Sequence, residues 1–119
     1  MIVLDEQLAG RNLDTSIATW YRGAVLYITD LRPHTVIKDD AIPALLRQHA
    51  APTFVTINVS DFWQKVAIDD QFCVICFTLP DTRVREIGPK LRGLLHRDEF
   101  ATKARRIGTV IRVTDTAVS

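Results

Sequence analysis

Thr53-Phe54-Val55-Thr56-Ile57-Asn58-Val59-Ser60-Asp61-Phe62, entered through Asp39-Asp40-Ala41-Ile42-Pro43-Ala44-Leu45-Leu46, is the stretch that decides the fold. Residues 53–57 are β-branched or aromatic with no polar alternation, the pattern of a strand buried on both faces. The segment before it repeats apolar residues at Ile42, Leu45 and Leu46, and then His49, at helical spacing. Pro43 fits that helix in its first turn, where a missing N–H does little harm. The expectation is a helix that opens on Asp39 and Asp40, a short turn, a buried strand, and a polar Thr-x-Asn-x-x-Asp-Phe turn beyond it.

Working outward, strands and helices alternate. Residues 1–4 read as a first strand. Asp14 is placed to cap a helix carrying Ile17, Trp20 and Tyr21, which Gly23 ends. Residues 24–29 read as a second strand and residues 30–38, with Pro33, as a loop. Beyond residue 57, Ser60 or Asp61 caps a short helix with Phe62, Trp63 and Val66, and residues 72–78 form a fourth buried strand. Val84, Ile87, Leu91, Leu94 and Leu95 recur at helical spacing, but Gly88-Pro89 must kink or divide that helix. Residues 107–113 make an edge-like last strand. This alternation predicts one three-layer α/β/α domain with a mostly parallel central sheet over residues 1–113, and a flexible tail at 114–119.

The chain of 119 residues, 47% hydrophobic, is one domain by size and buries enough surface to fold without staples. It has no apolar run near the ~20 residues that span a bilayer and no signal-like segment, so a soluble cytoplasmic protein with no membrane partner is expected. Cys73 and Cys76 form a C-x-x-C, yet positions three apart on a strand point to opposite faces and cannot share a metal; they read as core residues. Charge is unevenly spread. Residues 1–80 hold six basic and nine acidic residues, whereas residues 81–119 hold nine and five. A basic C-terminal third suits either a phosphate backbone or a solvated helix face.

In a parallel α/β sheet the strand-to-helix connections share one edge, at the carboxyl ends of the strands, where ligands bind. Asp5, Glu6, Asp30, Asp39, Asp40 and Asp61 all fall in or beside such connections. Clustered carboxylates repel one another and are comfortable with a cation bound or one group protonated. Magnesium or manganese, which take oxygen ligands, would suit them. Each acid alone has a structural reading as well: Asp39 and Asp40 favour a helix dipole, and Asp61 can be a cap. Trp20, Tyr21, Phe62 and Trp63 read as core rather than as stacking platforms, and His34, His49 and His96 show no ligand spacing.

The Asp-Ala-Ile-x-Ala-Leu helix and the strand ending in Thr-x-Asn-x-x-Asp-Phe resemble the PIN domain of VapC-type toxin ribonucleases. The opening Leu-Asp-Glu-x-Leu is similar to a compact PIN-like group, and the resemblance covers residues 1–62. It implies metal-dependent hydrolysis of RNA phosphodiesters, with one or two magnesium or manganese ions. Carried over position by position, Asp5, Asp40 and Asp61 would be catalytic. Asp5, Glu6, Asp39, Asp40 and Asp61 would supply the metal ligands, and Thr56, Asn58 and Ser60 the substrate-binding turn. The same resemblance implies a toxin–antitoxin setting, with RNA as substrate, an antitoxin protein as partner and a homodimer as the assembly. Larger PIN domains carry a further acid between the first strand and the Asp40 position. Residues 7–38 offer only Asp14 and Asp30, so Glu6 or Asp30 stands in, or the chain is a catalytically weak PIN-like protein-interaction module. A receiver-type phosphotransfer domain is excluded, because Thr56-Ile57-Asn58 and Thr114 stand where its aspartate and lysine belong.

Overall fold

The computed structural model describes residues 1–33, 37, 41–57, 71–114 and 118. Five strands, β1 (Ile2–Leu4), β2 (Val25–Tyr27), β3 (Thr53–Thr56), β4 (Cys73–Phe77) and β5 (Val110–Val113), form one sheet in the order β2-β1-β3-β4-β5. Every neighbouring pair is parallel. The three central strands are buried at every position, which is why their sequences are apolar runs, while β2 and β5 at the edges are partly open.

Side chains alternate between the two faces. Ile2, Leu4, Val55, Ile75 and Phe77 share a core with α1 (Leu13–Ala18) and a later helix, Ile87–Leu95. Val3, Phe54, Val74 and Cys76 share the other with α2 (Ile28–Leu31) and α3 (Ile42–Leu46). The helix Ile87–Leu95, here α4, therefore lies beside α1. The β1–β2 and β2–β3 connections move in opposite directions along the sheet on opposite faces, and so share one hand. The β4–β5 connection moves in the same direction as β2–β3 but carries α4 on the other face. It therefore has the opposite hand to β2–β3, a departure from the general uniformity of such crossovers.

The boundaries depart from the sequence pattern where tertiary contacts intervene. The cap of α1 is Asn12, in the left-handed region at φ 57°, and not Asp14, whose Oδ1 accepts a hydrogen bond from the Tyr27 hydroxyl at 3.1 Å. That helix stops at Ala18, short of Gly23, with the Thr19 hydroxyl donating to the Ser16 carbonyl. Trp20 and Tyr21 follow it edge to face, ring centroids 6.1 Å apart, and both pack on the first core. β2 ends at Tyr27 because the Tyr27 N–H donates to the Asp30 carboxylate at 2.9 Å, which starts α2 and makes Ile28 and Thr29 helical.

The helix before β3 runs Ile42–Leu46, with Ala41 at its N-cap and Pro43 in its first turn; the opening expected on Asp39 and Asp40 lies outside the described residues. It is finished by Leu46, and His49 lies beyond it. The division expected at Gly88-Pro89 falls earlier: a 3-10 segment, Asp81–Glu86, precedes α4, and Pro89 sits in the first turn of α4. Gly88 is where α4 meets α1, since a Cβ there would lie 2.8 Å from Ser16 Oγ.

Cys73 and Cys76 are free and buried, one in each core, as their spacing on a strand requires. Buried Arg106 ties the connection before β5 to the sheet, Nε donating to Thr53 Oγ1 at 3.3 Å and Nη1 to the Phe100 carbonyl at 2.8 Å. Val118, assigned to the tail, pairs antiparallel with Val113 and packs on the first core. The short helix expected after residue 60 lies outside the described residues. No helix among the described residues is long and apolar enough to cross a membrane.

Candidate acidic site at the carboxyl edge of the sheet

β1 and β3 are neighbours, with Leu4 opposite Val55. From β1 the chain moves outward to β2, whereas β3, β4 and β5 extend the other way, so the strand order reverses between β1 and β3. Doubly wound sheets open a ligand crevice at such a switch point, beyond the carboxyl ends of the strands. Asp5 and Thr56 are the residues that reach it. The ladder continues one step past β1, with the Asp5 N–H donating to the Val55 carbonyl at 2.9 Å. Alternation then turns both side chains to the face of Val3 and Phe54, the α3 side.

There the Thr56 hydroxyl donates to Asp5 Oδ2 at 2.5 Å. Thr56 is fully buried and Asp5 is 7% exposed. A carboxylate taken out of water is costly unless hydrogen-bonded, and short charge-assisted bonds of this kind are the strong ones. Asp5 precedes a 3-10 turn, Glu6–Leu8, but its side chain makes no capping bond to that turn.

The Asp5 carboxyl borders a cavity of about 110 Å³, whose walls among the described residues also include Glu6 and Gln7 from the same turn, Ile28, Ile37, and Ile42 of α3. Oxygen donors thus meet apolar walls, and charge acts more strongly beside low-dielectric walls than in open water. The row of aligned residues runs on across the sheet, from Thr56 to Cys76 and from Cys76 to Arg112. Burial, with Cys73 behind it, pushes the Cys76 thiol up to about 12. Arg112 on one side draws it down and Asp5 on the other raises it further, so the row is electrostatically continuous.

Of the residues expected from sequence, Asp5, Glu6 and Thr56 come together at the switch point. Asp39, Asp40, Asn58, Ser60 and Asp61 lie outside the described residues. Ile37 and Ile42, which bracket the Asp39-Asp40 pair in sequence, both line the cavity, and Asn58 follows Thr56 by two residues. Asp30 does not join the site, being exposed and engaged with the Tyr27 N–H. Among the described residues no three His, Cys, Asp or Glu side chains are grouped so as to hold a metal ion. Gln7, Ile28 and Ile37 were not singled out by sequence. Ile28 read only as a strand residue, and nothing in the loop pattern marks Ile37 as a cavity wall. Comparison with protein-family models, with curated proteins and with solved structures found no match.

Proposed function

We propose that this chain is a metal-dependent ribonuclease of the toxin kind, hydrolysing RNA phosphodiesters with magnesium or manganese bound at the β1–β3 switch point. The observation that carries the reading is a buried aspartate at the end of β1 that is hydrogen-bonded by the Thr56 hydroxyl and borders a small cavity with Glu6. Its donors are all oxygens, the chemistry that hard divalent cations take. Asp40 and Asp61 are the further carboxylates the reading requires.

A bound cation would activate a water and offset charge on the leaving oxygen. The chain's own contribution is placement. Thr56 fixes one carboxylate oxygen of Asp5, Glu6 adds a second, exposed carboxylate, and Ile28, Ile37 and Ile42 keep bulk water from that side. An antitoxin protein is the partner that belongs with this reading.

Manganese titration followed by thermal melting tests it. The wild type gains about 2.7 kcal/mol of stability at a free concentration a hundredfold above Kd. Asp5→Asn with Asp61→Asn loses that gain and, in the same preparation, loses RNA cleavage. A wild type indifferent to both ions refutes the metal site and leaves the protein-interaction module as the better reading. Metal-dependent stabilisation without cleavage of any RNA refutes the enzyme but keeps the site.

A further inference from the structure

A second depression opens at the same edge of the sheet, on the side of α1 and α4. It is a groove of about 710 Å³, lined by Gly10, Arg11 and Asn12 from the loop after β1 and by Thr82, Val84 and Arg85 from the 3-10 segment after β4. Its lining includes two arginines, Arg11 and Arg85.

Most of the excess basic charge in the C-terminal third is engaged elsewhere. Arg83 holds Glu86 through two hydrogen bonds at 2.6 and 2.8 Å, and Lys90 approaches the same carboxylate at 3.9 Å. Arg97 pairs with Glu99, Arg105 donates to the Asp98 carbonyl, and Arg106 is buried. Arg85 differs: it is exposed, it lines the groove, and among the described residues it has no ion-pair partner.

The position of the groove is as informative as its charge. Gln7 lines the acidic cavity and Gly10 lines the groove, three residues along the same turn, so their Cα atoms are at most about 11 Å apart. The two depressions flank the end of the β1–β3 pair, one on each face.

We propose that the Arg11–Arg85 groove binds the phosphate backbone of single-stranded nucleic acid, seating a strand whose neighbouring phosphodiester enters the Asp5 cavity. Guanidinium groups suit this because they present forked donors to phosphate oxygens and stay charged at any working pH. The cavity beside Asp5 is small, about 110 Å³ against about 710 Å³ for the groove, so affinity for the rest of the strand has to come from the larger, cationic surface alongside. This rests on the ribonuclease reading for the direction of the strand, but the groove is testable without metal.

The test is fluorescence anisotropy of a labelled oligouridine with the full chain in EDTA, across a salt series. Wild-type affinity falls with salt, and Arg11→Ala with Arg85→Ala lowers affinity at least tenfold. It also flattens the slope of log affinity against log salt by about 1.4, the value for two lost phosphate contacts on a single strand. Arg85→Ala alone, at a side chain with no structural bond to lose, flattens it by about 0.7. Arg22→Ala, exposed at the opposite edge just before β2, leaves both quantities unchanged. Unchanged affinity and slope in the Arg11/Arg85 variant, an equal loss in Arg22→Ala, or tighter binding of polyglutamate than of oligouridine overturns the proposal. Asp5→Asn distinguishes the two readings: it retains RNA binding in EDTA if the groove is right, even where manganese binding proves absent.

Discussion

Removing one hydroxyl at the centre of the site measures what the Thr56 bond contributes to holding Asp5. Thr56→Val keeps the shape of a fully buried side chain and deletes the donor that lies 2.5 Å from Asp5 Oδ2. A hydrogen bond to a charged group contributes about 1.5–3 kcal/mol, and the cost here lies within that range because the carboxylate is nearly out of reach of water. For a domain of this size about 2 kcal/mol corresponds to a fall in Tm of roughly 10 °C. Urea unfolding monitored by tryptophan fluorescence measures it. The decisive comparison is a double-mutant cycle with Asp5→Ala, in which Thr56→Val costs less because the charged acceptor of its hydroxyl is gone. The coupling energy expected is about 1.5 kcal/mol or more. Thr56→Ser, which keeps the donor and loses a methyl group, costs about 0.8 kcal/mol. If Thr56→Val lies within 0.5 kcal/mol of the wild type, or costs the same with and without Asp5, then the hydroxyl does not position the carboxylate.

Two further outcomes follow from the core and from α4. Burial raises both thiols, Cys76 to about 12 from an ordinary 9.0, so the unfolded chain releases a proton between those values that the folded chain retains. Stability is therefore fully present below pH 9 and falls as pH rises toward 12, at up to about 1.4 kcal/mol per pH unit for each thiol. Cys76→Val flattens that fall in urea titrations between pH 8.5 and 10.5, and an unchanged slope refutes the assignment. Gly93 lies exposed inside α4, and a Cβ there meets nothing within 4 Å. Gly93→Ala accordingly stabilises by about 0.5–1 kcal/mol, through helix propensity and lost freedom in the unfolded chain, and a destabilised variant contradicts the open surroundings found at that position.

Residues whose role depends on near neighbours were legible in the sequence. The buried runs Phe54-Val55 and Val74-Ile75-Cys76 identified central parallel strands, because a strand covered on both faces tolerates no polar alternation. The opposite facing of Cys73 and Cys76 followed from the two-residue period of a strand. Asp5 was recognised as a residue at a strand end, and Pro43 as one in a first helical turn. Asp14, which the pattern makes a helix cap, and Asp30, which it offers as a stand-in acid at the sheet edge, depart from those readings for one shared reason. Both are short polar side chains near element ends, and both are claimed by Tyr27, through its hydroxyl and its backbone N–H respectively. No periodicity in the chain encodes that meeting.

Local pattern thus settled the class of fold, since helical and strand periods, turn residues and apolar runs act over a few residues. The order β2-β1-β3-β4-β5 was beyond its reach, because strand neighbours are chosen by packing between segments distant in the chain. So was the pairing of Asp5 with Thr56, 51 residues away, which exists only because β1 and β3 lie side by side at the switch point. The groove that brings Arg11 to Arg85 arises in the same way, from two connections that the sheet sets next to each other.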